Sequence, residues 1–182
     1  MANSILVTGG AASGKARFAV TNFAAFDYVL YLRVGKELDP DIVHRIDFST
    51  EKNHVEWDIV HKETETPADE VKDHKFVIFD SISSYTRLMI KKMCGENPGE
   101  LSDDKKKDVE KAILGGIAAM CEKVYDNHGS IIMITLETGF SVRPDDPAQA
   151  AYRDILGRVN QRIANTSDKA YFSVSGIQFE IR

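Results

Sequence analysis

The sequence predicts an α/β fold in which a mainly parallel sheet is covered by helices on both faces. The prediction rests on short apolar runs typical of buried strands, on stretches with helical spacing between them, and on a closing pair of strands. The buried runs are 4–8, 28–32, 76–80 and 131–136. Segments 170–174 and 177–181 flank Ser175 and Gly176, which predicts a C-terminal β-hairpin. The length suits a single domain spanning 1–182.

The helices are predicted from apolar residues that recur three or four positions apart. One opens at Lys15, and the next starts at Pro40, because the fixed φ of proline suits a first helical turn. Three longer helices are predicted over 84–94, 103–127 and from about 148 to 166. Segment 57–60 is strand-like, and the polar segment 63–73 is predicted to be partly helical.

Composition limits the classes of function. The formal net charge is −5, with 43% hydrophobic and 28% charged residues, as in an ordinary soluble globular protein. This charge argues against nucleic acid and anionic membranes as partners. No segment approaches the length of a transmembrane helix, and the apolar run before Gly9 is too short for a signal peptide. Cys94 and Cys121 form no metal-type cluster, so we expect reduced thiols in a cytoplasmic protein.

The strongest functional signal follows the first strand. Gly9, Gly14 and Lys15 have the spacing of a phosphate-binding loop between a strand and a helix, which predicts a P-loop NTPase-like, RecA-like fold. In such a loop, backbone amides, a helix N-terminus and the lysine attract phosphates. The predicted nucleotide-binding residues are Gly9, Gly10, Ala11, Ala12, Ser13, Gly14, Lys15 and Ala16. Ala16 replaces the hydroxyl residue that ligates Mg2+ in this motif, so phosphate binding is better supported than metal-assisted catalysis. The alternative is a glycine-rich turn without a ligand.

Two carboxylates are predicted at the ends of later strands. Asp80 follows four apolar residues, as in a Walker B strand, and is assigned as catalytic and Mg2+-binding. Glu137 follows the fourth strand and is assigned near the phosphates or the acceptor. The alternatives are a strand-end carboxylate that caps the next turn and a surface loop charge. Because ligands bind beyond the carboxyl ends of parallel strands, we expect Lys15, Asp80 and Glu137 to converge as the catalytic residues.

Further segments extend the pattern well beyond a generic loop. They are 5–15, Tyr31-Leu32, Leu38-Asp39, Arg45-Ile46, Trp57, Thr135, Glu137, Val142, Pro144, the run 152–162 and Val174-Ser-Gly-Ile177. Together these segments resemble the bifunctional adenosylcobinamide kinase / adenosylcobinamide-phosphate guanylyltransferase family of cobalamin synthesis, nearly from end to end.

The resemblance implies phosphorylation of the cobinamide aminopropanol hydroxyl by GTP or ATP with Mg2+. It also implies transfer of GMP from GTP through a histidine–GMP intermediate. The implied partners are a small-molecule corrinoid substrate and two further copies of the chain, as a homotrimer with sites near subunit boundaries.

Two positions depart from the family pattern. Ala16 stands in place of the serine that follows the loop lysine, and Ser49 falls on the guanylylated histidine in a gapless reading of 45–57. A serine hydroxyl needs a neighbouring base to act as a nucleophile. The nearest imidazoles in sequence are His44 and His54. The alternatives to an active family enzyme are a catalytically degenerate nucleotide-binding homologue with a regulatory or assembly role, and a P-loop kinase for another alcohol.

Overall fold

A computed structural model describes residues 3–35, 37–96 and 98–182, and its seven strands lie in one sheet. The strands are β1 (Ser4–Gly9), β2 (Val29–Arg33), β3 (Trp57–His61), β4 (Phe76–Asp80), β5 (Ser130–Ile134), β6 (Lys169–Val174) and β7 (Ile177–Glu180). Their spatial order is β3-β2-β4-β5-β1-β6-β7. Every neighbouring pair is parallel except β6 and β7, which form the antiparallel C-terminal hairpin. The predicted α/β fold with a P-loop NTPase-like sheet is confirmed.

The helices begin where the sequence offers capping residues. They are α1 (Lys15–Phe23), α2 (Pro40–Asn53), α3 (Ala68–Val71), α4 (Ile82–Cys94), α5 (Asp103–Asp126) and α6 (Pro147–Thr166). Asp39, Ser81, Ser102 and Asp146 are the N-caps of α2, α4, α5 and α6, and each side chain accepts a hydrogen bond from a first-turn amide. In the described residues, no helix has both the length and the apolarity to span a membrane.

The sheet separates two apolar clusters. Successive residues of a strand point to opposite faces, so Leu6 packs in one cluster and Val7 in the other. Helices α1 and α2 cover the Val7 face, and α4, α5 and α6 cover the Leu6 face. Both faces of the central strands are therefore buried, as their continuous apolar runs predicted.

The polar segment 63–73 is partly helical, as the sequence predicts. Segment 63–73 contains only the four-residue helix α3, which has no side-chain N-cap hydrogen bond. The remainder forms a loop anchored by Tyr85, whose hydroxyl donates to the backbone carbonyl of Glu65 at 2.8 Å. Propensity alone is a weak determinant where a segment buries few apolar side chains.

Candidate functional site

A cavity of about 480 Å3 lies where the carboxyl ends of β1, β2, β4 and β5 meet. Residues 11–17 form one wall, and the strand ends contribute Arg33, Asp80 and Thr135. The first turns of α2, including Arg45, form the opposite wall. This is the edge of the sheet at which the parallel topology predicts a ligand.

The glycine-rich loop is supported from behind by the C-terminal hairpin. The carbonyl of Ser13 accepts hydrogen bonds from Ser173 Oγ at 2.7 Å and from the Gly176 amide at 3.0 Å. A Cβ atom at Gly9 would lie 2.3 Å from the Ser173 carbonyl oxygen, and one at Gly14 would lie 3.0 Å from Gly176 Cα. The loop therefore needs glycine at these two positions so that the hairpin can approach its backbone.

Lys15 lies against the loop at the start of α1. Its Nζ donates to the carbonyl of Gly9 at 3.0 Å, to the carbonyl of Gly10, and to Ser13 Oγ at 3.3 Å. Burial lowers the pKa of Lys15 to about 8, and the negative charge of Asp80 partly offsets this effect. No side chain in the described part of the chain caps the first amides of α1. An anion at this end of α1 would meet open amides and an adjacent ammonium group.

Asp80 is buried at the end of β4, and both of its carboxylate oxygens have partners. Arg33 Nη1 lies 2.7 Å from Oδ1, and the Tyr31 hydroxyl donates to Oδ2 at 2.7 Å. Burial, with the nearby charge of Asp80, raises the pKa of Tyr31 and keeps its phenol protonated. Tyr31 and Arg33 are two positions apart on β2, beside β4, so the pleat places them on one face.

These surroundings do not fit the Mg2+ ion predicted at Asp80. Mg2+ requires near-octahedral oxygen ligands, commonly one or two carboxylates with substrate phosphates. Ala16 offers no hydroxyl, and the oxygens of Asp80 are engaged by Arg33 and Tyr31. Across the residues that the structure describes, no group of three or more His, Cys, Asp or Glu could hold a metal ion.

The third predicted catalytic residue, Glu137, lies outside this cavity. Its Oε1 accepts a hydrogen bond from the Gly139 amide at 2.5 Å, and it lines a second cavity of about 590 Å3 against α6. Arg153 holds the loop beside it by donating to the carbonyls of Thr138, Gly139 and Ser141. The structure therefore brings Lys15 and Asp80 together and separates Glu137 from them.

Ser49 lies in a groove between α1 and α2, also outside the main cavity. The groove is lined by Thr21, His44, Arg45 and Phe48, and it adjoins the main cavity at Asp41 and Arg45, which line both. In the part of the chain that is described, no histidine forms a hydrogen bond with the Ser49 hydroxyl. His54, the other imidazole noted in the sequence, is the C-cap residue of α2. Although His44 lines the same groove, no hydrogen bond among the described residues prepares this serine as a nucleophile.

Sequence reasoning missed two groups of residues that build the site. The second strand was predicted to end at residue 32, whereas Arg33 ends β2 inside the cavity. A charged residue directly after a buried strand, at the edge where the other site residues were expected, was the available signal. Ser173 and Gly176 were predicted only as hairpin residues, and their support of the loop carried no short-range signal.

Comparisons with known proteins identify the family of this chain. The family model described as "CobU: Cobinamide kinase / cobinamide phosphate guanyltransferase" matches residues 5–181. The bifunctional adenosylcobalamin biosynthesis protein CobU of Salmonella typhimurium is 30% identical over 182 residues, covering 98% of this chain and 99% of that protein. The protein of the same name from Escherichia coli is 27% identical over 183 residues, with coverage of 98% and 99%. The chain therefore belongs to the CobU family, the cobinamide kinase / cobinamide phosphate guanyltransferase family.

Proposed function

We propose that this chain is a kinase that transfers the γ-phosphate of GTP or ATP to the aminopropanol hydroxyl of a cobinamide. One observation carries the proposal: Lys15, the open amides of α1 and Asp80 line a single cavity at the carboxyl ends of the strands. In a member of the CobU family, that cavity has the chemistry of a nucleotide phosphate site.

The residues have distinct roles in this proposal. Lys15 neutralises the β- and γ-phosphates, and residues 9–16 surround them with backbone amides. Asp80 lies beside the reacting phosphate and orients the surrounding donors. Glu137 is assigned to the acceptor side, because it lies in the second cavity. The acceptor oxygen bonds to the γ-phosphorus as the bridging oxygen leaves, which yields cobinamide phosphate and a nucleoside diphosphate, with the proton released to water.

Direct turnover tests the proposal. The purified full chain is incubated with adenosylcobinamide and either GTP or ATP, in Mg2+ or in a chelator. The products are identified by mass spectrometry. We expect an added phosphate on the corrinoid, and much less of it with Lys15→Met. Absence of phosphorylated cobinamide with both nucleotides and at every Mg2+ level contradicts the kinase assignment.

We propose further that GMP transfer through a protein–GMP intermediate is not retained. Ser49 occupies the position at which the family resemblance places the nucleophilic histidine, and in the described residues its hydroxyl has no hydrogen bond from His44, which lines the same groove. The proposal therefore divides the two reactions of the family: phosphoryl transfer is kept and guanylyl transfer is lost.

A second candidate is a nucleotide-binding homologue without catalysis, with a regulatory or assembly role. Ala16 favours it, because the motif hydroxyl that holds Mg2+ is absent. The Mg2+ predicted at Asp80 would require the Arg33 ion pair to open. Ordinary turnover in the assay above removes this candidate, whereas nucleotide binding without turnover supports it.

We also propose that the chain forms a homotrimer. Large apolar side chains are exposed on the loop 139–146 and on the hairpin, and they are Phe140, Val142, Ile177, Phe179 and Ile181. A second copy of the same chain is the partner proposed to cover them, since exposed apolar surface marks interaction sites. Light scattering would give about three times 20.3 kDa for the trimer. The cytoplasmic location stays a prediction from cysteine usage.

A further inference from the structure

A P-loop normally meets the charge of a polyphosphate with two cations, the loop lysine and Mg2+. This chain keeps Lys15 and lacks a fitting ligand set for the metal, since Ala16 has no hydroxyl and each Asp80 oxygen already contacts Arg33 or Tyr31. If a triphosphate binds here, its remaining charge faces whatever else lines the cavity. Arg17, Arg33 and Arg45 also line the cavity, and Arg33 is the arginine that pairs with the carboxylate predicted to hold the ion.

The position of Arg33 is well defined. Its Nη1 lies 2.7 Å from Asp80 Oδ1, while the Tyr31 hydroxyl holds Oδ2 and fixes the carboxylate in place. The Arg33 side chain is 22% exposed and lines the same cavity as Lys15. A guanidinium is planar and carries five donors, so it can bridge a carboxylate and a phosphate oxygen at the same time. Mg2+ makes the same kind of bridge in P-loop enzymes.

The charge around the cavity also requires a cation at this place. A bare Asp80 carboxylate would repel the oxygens of an incoming phosphate. Pairing with Arg33 neutralises that carboxylate without using Lys15, which is held instead by the loop carbonyls. The arginine therefore removes the repulsion and presents a charged donor group at the wall that faces the loop.

We propose that Arg33 takes the place of the divalent cation, so that this cavity binds the polyphosphate of GTP or ATP without Mg2+. The inference rests on the proposed nucleotide site and specifies how that site recognises its ligand. A purely structural Arg33–Asp80 pair has a different consequence, since its loss would lower stability and leave nucleotide affinity unchanged.

Calorimetry of the full chain with GTP and with ATP, in chelator and in millimolar Mg2+, tests the proposal. We expect the native chain to bind each nucleotide in chelator about as tightly as in Mg2+, within roughly threefold. In chelator, Arg33→Met is expected to weaken binding about 10- to 100-fold, the range for one charge-assisted hydrogen-bonded contact. Arg162→Met is the matched control, because Arg162 pairs with Glu110 outside the cavity and its loss leaves the affinity unchanged.

The double variant Ala16→Ser with Arg33→Met restores the motif hydroxyl and frees a carboxylate oxygen. We expect this variant to bind nucleotide about tenfold or more tightly in Mg2+ than in chelator. The native chain is expected to show no such dependence on Mg2+. Thermal melting checks that each variant folds. If Arg33→Met does not fold, Arg33→Lys is used in its place. We expect Arg33→Lys to bind nucleotide in chelator more weakly than the native chain and more tightly than a Lys15→Met chain.

Two results would overturn the inference. Native binding that falls more than about tenfold in chelator shows that Mg2+ is needed, and leaves the proposed nucleotide site intact. An Arg33→Met chain that folds and binds as tightly as the native chain in chelator shows a structural role only. A native chain that binds neither nucleotide in either condition contradicts the proposed function itself, and the inference with it.

Discussion

The loop after β1 and the helix after β2 both face the carboxyl edge of the sheet, and they have diverged in opposite ways. The loop keeps its glycines, its lysine and a hairpin that supports its backbone. Helix α2 carries Ser49 where the family resemblance places a nucleophilic histidine. We therefore expect phosphate binding and covalent GMP chemistry to be separable in this chain, because the two predicted functions rest on different segments.

The largest effect is expected from Gly9→Ala. Its φ of +147° and the 2.3 Å approach of a Cβ to the Ser173 carbonyl force the loop away from β6. We expect a loss of about 2–4 kcal/mol in the free energy of unfolding, measured by urea denaturation. Gly10→Ala is the matched control, because its Cβ meets nothing within 4 Å, and it should change stability by less than about 0.5 kcal/mol. Equal losses would mean that the hairpin does not constrain the loop.

The next prediction compares the contributions of the loop and of α2 to nucleotide affinity. We expect Lys15→Met to weaken GTP or ATP binding by about 10- to 100-fold, since it removes a charge-assisted donor beside the phosphates. Ser49→Ala should change the affinity by less than about twofold, because Ser49 lies outside the cavity. Calorimetry measures both. Equal or reversed effects would place the nucleotide elsewhere.

A dependence on pH should accompany the Lys15 interaction. In the free chain, burial lowers the pKa of Lys15 to about 8, and a bound polyphosphate favours the charged ammonium. Nucleotide binding therefore takes up a proton above about pH 8, and affinity should fall by about tenfold between about pH 8 and pH 9.5. Calorimetry in buffers of different ionisation enthalpy detects the proton uptake. If the affinity of a Lys15→Met chain falls by the same factor over this pH range, another group is responsible for the pH dependence.

The stability of the free chain has the opposite pH dependence. The folded pKa of Lys15 lies below its unfolded value near 10.5, so the unfolded state binds more protons between them. Burial of the charged ammonium therefore destabilises the fold fully below about pH 8, and this cost is relieved as pH rises toward the unfolded pKa. The free energies of unfolding of the native chain and of Lys15→Met are measured by denaturation across this pH range. Their difference gives the contribution of Lys15.

The smallest effect concerns the altered helix. With GTP radiolabelled at the α-phosphate, we expect no protein-bound label, acid-labile or acid-stable, on the native chain, since no base is hydrogen-bonded to the Ser49 hydroxyl in the described residues. Ser49→His restores the imidazole and should give a low but measurable label, while Ser49→Ala gives none. Label on the native chain that Ser49→Ala removes would show that the serine itself carries GMP.

Most of the fold could be predicted because its signals are local. The apolar runs, the N-cap residues and the glycine spacing each act within a few positions, so α2, α5 and the hairpin were found near their observed bounds. The polar segment 63–73 is partly helical, as predicted, but the bounds of α3 and the contact from the distant Tyr85 had no local signal.

The candidate site was predicted only in part. Lys15 and Asp80 were expected together and lie together, because parallel strands bring their carboxyl ends to one edge. Glu137 follows the same rule along the chain, yet the turn at Gly139 draws its carboxylate onto the loop and into the second cavity. The pairing of Asp80 with Arg33 and Tyr31 joins residues nearly fifty positions apart and has no sequence signature.

The sequence by itself determined the class of fold, the phosphate-binding loop and the family, since these depend on residue type and local spacing. Only the tertiary structure decided what surrounds Asp80, because strand order and register, which long-range pairing sets, place Arg33 of β2 beside it. Whether a carboxylate at a strand end is open to a metal or bound to a guanidinium depends on the neighbouring strand, and adjacency between strands is not encoded in either one alone.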